Sequence, residues 1–301
     1  MKITIFCLFY FLSYSIFAYS ESIVDHITSY YSIPQDYIQN IISKSSIDNT
    51  VIKLINNQKE KLPFSAYKKI FINTKRIKKG KEYIKKHSYW LKRASKQFDV
   101  DYKIITSIIG IESLYGQHKP QFKAINSLYT LATKFERRKS YFTYELASFL
   151  YYTYKENINP FSINSSYAGA IGIPQFMPSN ILKFGIDFNK NGKINLIKEH
   201  PDAIGSVANY LRHYGFKKNK PTAIKIKIIN KRKIKLNTPV RYSNIKKHIY
   251  SPFKVKNSYI VKVIKVEKDY WLTFKNFEAL LKYNNSINYA LTVLLLSKKI
   301  G

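Results

Sequence analysis

The sequence predicts a mainly α protein, of the α+β class, with a small β-rich insertion late in the chain. Apolar residues recur at helical spacing over most of 21–221. After Pro221 apolar residues alternate with Lys, Arg and Asn, which is the period of half-buried strands. With 301 residues, 45% of them hydrophobic, the chain is long enough for one large domain or two smaller ones.

The first twenty residues predict an exported protein. Met1-Lys2 is a positive start, 3–18 is almost continuously apolar, and Ala18-Tyr19-Ser20 has small residues where a signal peptidase reads. A membrane-spanning helix needs roughly 20 apolar residues, so cleavage after Ser20 is favoured over an uncleaved anchor. Cys7 is the only cysteine, and no lipoprotein cleavage box surrounds it. The mature chain would then contain no cysteine, which excludes disulfides and Cys-ligated metals.

The chain is strongly basic. Lys and Arg number 51 against 18 Asp and Glu, which gives a formal net charge of +33. Such a charge attracts polyanions, including nucleic acid, anionic lipid and acidic wall polymers. The basic residues are spread along the chain instead of forming blocks, which indicates a general drift in residue usage. We expect no nucleic-acid partner, because no base-reading motif is present and the export signal opposes one.

Glu112 is the strongest candidate for a catalytic acid. It lies near the end of an apolar predicted helix that Asp99 or Asp101 could cap, with apolar positions at Ile104, Ile105, Ile108, Ile109, Ile111 and Tyr115. Apolar neighbours disfavour the charged carboxylate and raise its pKa, as a general acid at neutral pH requires. Gly110 costs about 1 kcal/mol in a helix relative to Ala, which indicates a close approach there. The alternative is a Glu that faces solvent at a helix end.

The Gly/Pro-rich segment Ser166–Ser179 is typical of a loop that binds a sugar chain. Its glycines and prolines fix an irregular backbone, while Ser166, Tyr167 and Gln175 supply neutral hydrogen-bonding groups. Sugars have apolar faces and hydroxyl-bearing edges, which suit this mixture. The Gly-Lys pair of a phosphate-binding loop is absent from the segment.

Six motifs carry a resemblance to a known family. They occur in order from about residue 90 to 295, and they read IIGIESLYGQ, FERRKSYFTYEL, SYAGAIGIPQFMPS, DFNKNGKINL, DAIGSVANYL and KYNNSINYAL. The sequence resembles the membrane-bound lytic murein transglycosylase B family, a branch of the lysozyme-like superfamily. Several motifs in fixed order are more specific than any one alone.

The resemblance implies an organisation for the whole chain. After the signal peptide at 1–20, we expect an N-terminal helical region over 21–95 and a lysozyme-like catalytic core over 96–221. The basic β-rich insertion follows over 222–270. C-terminal helices over 271–301 would then complete the core and the groove.

The resemblance also implies site residues. Glu112 takes the position of the catalytic acid. The positions matching the glycan groove are Ser166, Gln175, Arg137, Arg138, Tyr210, Tyr283, Asn284 and Tyr289. From the residues alone, Arg137 and Arg138 could equally be a surface pair, and Tyr283 and Tyr289 could be core aromatics.

The implied reaction is cleavage of the β-1,4 bond between N-acetylmuramic acid and N-acetylglucosamine, in cell-wall turnover. Glu112 would first protonate the bridging oxygen and then, as base, take the proton from the muramoyl 6-hydroxyl, which gives 1,6-anhydromuramoyl products. Glycoside hydrolases ordinarily use two carboxylates, and no second one accompanies the groove motifs. The alternatives are a non-catalytic peptidoglycan-binding protein and a lysozyme-type hydrolase.

A Ca²⁺ loop is one interpretation of the segment that begins at Asp187. Oxygen-bearing side chains recur at alternate positions, namely Asp187, Asn189, Asn191 and Asn195. Gly192 is at position 6, but Lys198 replaces the bidentate Glu of an EF-hand. The resemblance implies a variant loop in which Asp202 closes the site and Lys193 contributes its backbone carbonyl. The alternative is an ion-free turn, with Asp202 capping the next helix.

The expected partners follow from the same resemblance. Peptidoglycan glycan strands are the substrate, no cofactor is required for the chemistry, and any Ca²⁺ is structural. We expect a monomeric, periplasmic protein. Peripheral membrane association stays open, because relatives are often lipid-anchored while this sequence has no lipid box.

Overall fold

The computed structural model describes residues 23–56 and 62–301. The predicted signal peptide at 1–20 lies outside the described residues. The described chain forms two compact units: 23–56 with Lys119–Lys183, and 62–118 with Phe184–Gly301. This division differs from the expected one, because the helical region 21–95 is shared between both units. In the described ranges, no helix is long and apolar enough to cross a bilayer.

The first unit is helical. Its helices are one over 23–28, Gln35–Ser43, Asn49–Asn56, Ala124–Lys134, Lys139–Lys155 and Pro178–Phe184, the last ending one residue past the unit boundary. Two short antiparallel strands, Phe122–Lys123 (β1) and Asn164–Ser165 (β2), precede the Gly/Pro-rich loop. Gly169 in that loop has φ +85°, and a Cβ there would lie 2.4 Å from Leu128. Only glycine fits this close approach.

The second unit contains the helix that bears Glu112. Its helices are Phe64–Phe71, Thr74–Lys86, Ser88–Phe98, Tyr102–Ser113, His200–His213, Tyr242–Ile245, Lys275–Tyr283 and Ile287–Ile300. Tyr102–Ser113 packs against Ile287–Ile300, and most side chains of both helices are buried. A helix that is apolar on nearly all sides belongs in a core. The Glu112 helix is therefore central to this unit.

The basic insertion forms a five-stranded antiparallel sheet, in agreement with the alternation in the sequence. Its order is β4-β6-β7-β3-β5, from strands Ala223–Ile228 (β3), Val240–Arg241 (β4), Ile249–Tyr250 (β5), Ile260–Val266 (β6) and Asp269–Thr273 (β7). Ile224, Val261, Val263 and Leu272 bury one face. The intervening lysines of β3, Lys225 and Lys227, are exposed.

Tyr115 fixes the end of the Glu112 helix. Leu114 and Tyr115 have φ +49° and +62°, so the chain reverses and the Tyr115 ring lies against Gly110. The Tyr115 hydroxyl donates to the Arg76 carbonyl at 2.9 Å, and the Arg76 guanidinium donates to the Gly110 carbonyl at 2.8 Å. The sequence predicted a close approach to Gly110, and the group that approaches it is the ring of Tyr115.

Replacing Gly110 should destabilise the protein. A Cβ at Gly110 would lie 2.6 Å from the Tyr115 ring. We expect Gly110→Ala to lower the free energy of unfolding by about 1–3 kcal/mol, because overpacking outweighs the better helix propensity of Ala. Urea unfolding measures this. The control is Lys81→Ala at an exposed helical position, with an expected change within about 0.5 kcal/mol. Equal stability of Gly110→Ala and the parent would contradict this account of the packing.

Candidate active site

Glu112 is the second-last residue of the helix Tyr102–Ser113. Asp101 begins that helix, and its carboxylate accepts the Lys103 backbone N–H at 2.9 Å, so Asp101 and not Asp99 is the cap. At the other end, Glu112 Oε1 accepts a hydrogen bond from the Tyr289 hydroxyl at 2.6 Å. Tyr289 lies in the first turn of Ile287–Ile300. Two packed helices therefore hold the carboxyl group and its donor.

Burial controls the protonation of Glu112. It raises the pKa of this carboxyl from 4.5 to about 7, and the Tyr289 hydrogen bond partly offsets the shift by favouring the charged form. Among the described residues, no Asp or Glu is a cause of this shift. A carboxyl group that is half-protonated near neutral pH can both give and accept a proton. This environment is not that of a Glu facing solvent.

Three tyrosines extend from Glu112 through the second unit. Tyr289 and Tyr283 are stacked with centroids 6.2 Å apart, and Tyr283 meets Tyr210 edge-on at 5.0 Å. Burial and the charge of Glu112 raise the pKa of Tyr283 and Tyr289 well above the usual value, so both stay neutral. Asn284 is exposed just after Tyr283.

Tyr210 has a packing role in this cluster. It is 4% exposed, and its hydroxyl donates to the Lys282 carbonyl. It thereby joins His200–His213 to Lys275–Tyr283, the helix that ends with Tyr283. Tyr210 therefore supports the position of Tyr283.

Ser166 and Gln175 shape the Gly/Pro-rich loop of the first unit. Ser166 Oγ accepts the Ala170 N–H at 3.1 Å. Gln175 has a left-handed φ of +51°, and its Nε2 donates to the Gly172 carbonyl at 2.7 Å. Both side chains are partly exposed. The loop thus has a defined conformation with polar groups left at its surface.

Glu145 anchors the far end of that loop, and sequence reasoning missed it. Its side chain is 2% exposed, and it accepts the Ser179 N–H at 2.9 Å and the Ser179 hydroxyl at 2.7 Å. Burial raises its pKa. The one available signal was an acid among the apolar residues of the helix Lys139–Lys155.

Arg137 and Arg138 lie at the surface of the first unit. Both are exposed. The Arg138 guanidinium lies 4.1 Å from the centre of the Tyr141 ring, and Arg137 lies 5.7 Å from the centre of the Phe135 ring. Aromatic faces thus orient both cations while leaving them accessible.

The loop after Asp187 has an oxygen-rich interior, and two acids, Asp202 and Glu199, bond to it in different ways. Both oxygens of the buried Asp202 accept backbone N–H groups, of Phe188 at 2.8 Å and Asn195 at 2.9 Å. Glu199 instead contacts the side-chain amides of Asn189 and Asn191. Asp202 is therefore an anchor of the loop. Glu199, three residues earlier, is the acid that bonds to the side chains of Asn189 and Asn191.

The other expected ligands are arranged around a tight turn. Asp187 Oδ1 accepts the Asn191 N–H at 3.0 Å, and Asp187 Oδ2 accepts the Gly192 N–H at 2.7 Å. Gly192 has φ +89°, and Lys193 follows it. Within the described ranges, no group of three or more His, Cys, Asp or Glu could hold a metal ion. An ion here would need amide and carbonyl oxygens beside one or two carboxylates, and Ca²⁺ accepts all of these ligands.

Comparisons with known proteins identify the family of the chain. The model of the transglycosylase SLT domain matches residues 20–298. The membrane-bound lytic murein transglycosylase B of Escherichia coli is 28% identical, over 94% of this chain and 82% of its own. The resemblance predicted from the six motifs is confirmed.

Solved structures show the same fold. The soluble lytic transglycosylase SltB1 of Pseudomonas aeruginosa superposes with a TM-score of 0.86 at 28% identity, covering 93% of this chain and 97% of that one. The Escherichia coli lytic transglycosylase SLT35 in complex with calcium gives a TM-score of 0.84 at 28% identity, covering 93% and 92%. The expected lysozyme-like, mainly α fold is confirmed. The chain therefore belongs to the transglycosylase SLT domain family of enzymes.

Proposed function

We propose that the protein cleaves the glycan strands of peptidoglycan, between N-acetylmuramic acid and N-acetylglucosamine, as a lytic transglycosylase in cell-wall turnover. The observation that carries the proposal is Glu112, a carboxyl group whose pKa is raised to about 7. The curated relative is named for action on murein. A glycan polymer also suits the tyrosines next to Glu112, because sugar rings have apolar faces.

Glu112 acts first as acid and then as base. The protonated carboxyl gives its proton to the bridging oxygen as the glycosidic bond breaks. The carboxylate then takes the proton of the muramoyl 6-hydroxyl, which attacks the sugar carbon and closes the 1,6-anhydro ring. Tyr289 holds the carboxyl and stabilises its charged form between these steps. Glu112 ends protonated, so one carboxyl completes the cycle without water.

Membership of the transglycosylase SLT domain family favours this chemistry over hydrolysis. We further propose that Ser166, Gln175, Arg137, Arg138, Tyr283 and Asn284 contact the glycan strand. The arginines would meet carboxylates of the wall polymer, since both guanidinium groups are exposed.

Export to the periplasm, as a monomer, is part of the same proposal. The leader-like sequence at 1–20 supports it. Peripheral association with the membrane is compatible with the basic composition, and the curated relative is named membrane-bound.

We propose a structural Ca²⁺ in the loop after Asp187. Asp187, Asn189, Asn191, the Lys193 carbonyl and Glu199 would hold it, with Asp202 as the anchor behind them. The donors are all oxygens, as Ca²⁺ prefers, but only two of them are carboxylates, so we expect weak binding in the millimolar range, about 10⁻⁴–10⁻³ M. A related solved structure is described as a calcium complex.

Glu112→Gln should remove activity and leave the fold intact. Gln has the same shape and cannot transfer the proton, so release of 1,6-anhydromuropeptides should fall by about 10²–10⁴-fold. Mass analysis of digested peptidoglycan measures the products. Glu82→Gln, at an exposed helical position, is the control. Reducing-end products from the parent would identify a hydrolase instead. If the folded parent released no products, the protein would be a non-catalytic peptidoglycan-binding protein.

The pH profile should report Glu112. Because the acid form starts the reaction and its pKa is about 7, kcat/KM should decline above about pH 7. Tyr289 lowers this pKa by its hydrogen bond, so Tyr289→Phe should move the decline to higher pH. Tyr89→Phe, at a side chain that is 66% exposed, should leave it in place. A decline that shifts to lower pH in Tyr289→Phe would contradict the role given to the hydrogen bond.

Calcium should raise the melting temperature of the parent protein. Millimolar Ca²⁺ binds the folded state, which stabilises it by mass action. Glu199→Gln should remove this rise, because it deletes one of two ligand charges. Glu136→Gln, at an exposed acid of the first unit, is the control. A rise that persists in Glu199→Gln would exclude Glu199 as the closing ligand.

A further inference from the structure

The second unit has a cleft that the proposed chemistry does not use. A cavity of about 730 Å³ and one of about 320 Å³ share the lining residues Lys217, Lys220, Pro221 and Tyr259. We call them together the lysine cleft, after the seven lysines that line one or both: Lys103, Lys217, Lys220, Lys254, Lys256, Lys275 and Lys298. None of the residues in the Glu112 cluster lines it.

The charge of the lysine cleft is unbalanced. Asp101 is the single acidic side chain of its lining, and that carboxylate already accepts the backbone N–H of Lys103. The carboxylate of Gly301, which lies against the Lys103 side chain, adds one negative charge to the seven positive ones. The four ion pairs found among the described residues include none of the seven lysines. A concave surface with charges of one sign concentrates the field and attracts counterions. Drift in composition explains many lysines, but here the fold gathers them around one space.

One rim of the lysine cleft is rigidly built. Asn276 is 3% exposed, and its side chain accepts the Lys217 N–H and donates to the carbonyls of Lys217 and Lys220, each at 2.9 Å. The Lys218 N–H also donates to the Asp99 carbonyl at 2.6 Å. The turn that carries Lys217 and Lys220 is therefore held before any ligand arrives. Such preorganisation reduces the entropy lost on binding.

The remaining donors indicate the ligand chemistry. Thr222, Asn219 and Tyr259 add hydroxyl and amide groups to the lysines. A phosphate group offers three acceptor oxygens and up to two negative charges, whereas a carboxylate offers two oxygens and one charge. Two or three linked phosphates would therefore engage most of these donors. The larger cavity lies within the range of about 300–1,000 Å³ that small-ligand sites occupy.

We propose that the lysine cleft binds a compact ligand with two or more phosphate groups, either free in solution or exposed as the headgroup of an anionic lipid. This site is independent of peptidoglycan cleavage. It gives the basic insertion, whose strand β3 starts at the cleft residue Ala223, a role in binding.

Inorganic tripolyphosphate is the probe for the shared chemistry. Isothermal titration calorimetry at low salt should show that tripolyphosphate binds the parent. The affinity should be at least tenfold weaker for Lys217→Glu/Lys220→Glu/Lys256→Glu, because attraction becomes repulsion at three positions. The matched control is Lys81→Glu/Lys85→Glu/Lys92→Glu, with the same change of charge at exposed helical positions outside the cleft. Its affinity should stay within about twofold to threefold of the parent, since distant surface charges are screened. Melting curves and peptidoglycan digestion verify that both variants are folded.

A second variant keeps the test valid if the first one misfolds. Lys254→Glu/Lys256→Glu/Lys298→Glu changes three exposed lysines of the larger cavity, of which only Lys256 is shared with the first variant. It should weaken binding to a similar extent. Equal loss in the control variant would overturn the proposal, because binding would then be a property of total charge. The proposal would also be overturned if the parent bound neither tripolyphosphate nor anionic vesicles.

Vesicles distinguish the two sources of phosphate. Phosphatidylcholine vesicles with and without phosphatidic acid are sedimented with the parent and the cleft variant. A lipid headgroup is supported if sedimentation requires phosphatidic acid, is lost in the cleft variant and is prevented by tripolyphosphate. Binding of tripolyphosphate without sedimentation supports a free ligand. Sedimentation equal in parent and variant contradicts recognition of lipid by the cleft.

Discussion

The hydrogen bond from Tyr289 to Glu112 joins the two requirements of the site. Burial keeps the carboxyl protonated near neutral pH, while the tyrosine hydroxyl provides a donor for the charged form that appears during reaction. Neither effect would be useful alone. A fully apolar pocket would hold the proton too firmly, and a solvated carboxylate would have lost it before the substrate arrived.

The surrounding structure serves to keep this pair in place. Tyr115 folds back on Gly110 and is itself bonded to Arg76, so the last turn of the Glu112 helix is fixed from a neighbouring helix. Tyr289 is fixed because its own helix is buried on nearly all sides. The positions of the two polar groups thus follow from apolar packing and from a chain reversal at two left-handed residues.

Local patterns predicted most of the fold and part of the site. The apolar residues around Ile104 and Ile108 predicted the observed helix, which is buried on nearly all sides. The alternation after Pro221 predicted the observed sheet, because one face of it is buried. The apolar neighbours of Glu112 predicted its raised pKa. Some side-chain contacts were not predictable from pattern alone. Those of Glu145 with Ser179 and of Glu199 with Asn191 depend on how loops return to helices. The lysine cleft was hidden for the same reason, because its lysines are scattered along the chain.

The most direct measurement is the pKa of Glu112 itself. Protein labelled with ¹³C at the glutamate carboxyl carbon is titrated by NMR, and the Glu112 signal is assigned by its loss in Glu112→Gln. The account predicts a midpoint near pH 7, set by burial and moderated by Tyr289. A midpoint near 4.5, the value of a solvated glutamate, would mean that the carboxyl is ionised at neutral pH and cannot begin the reaction as an acid.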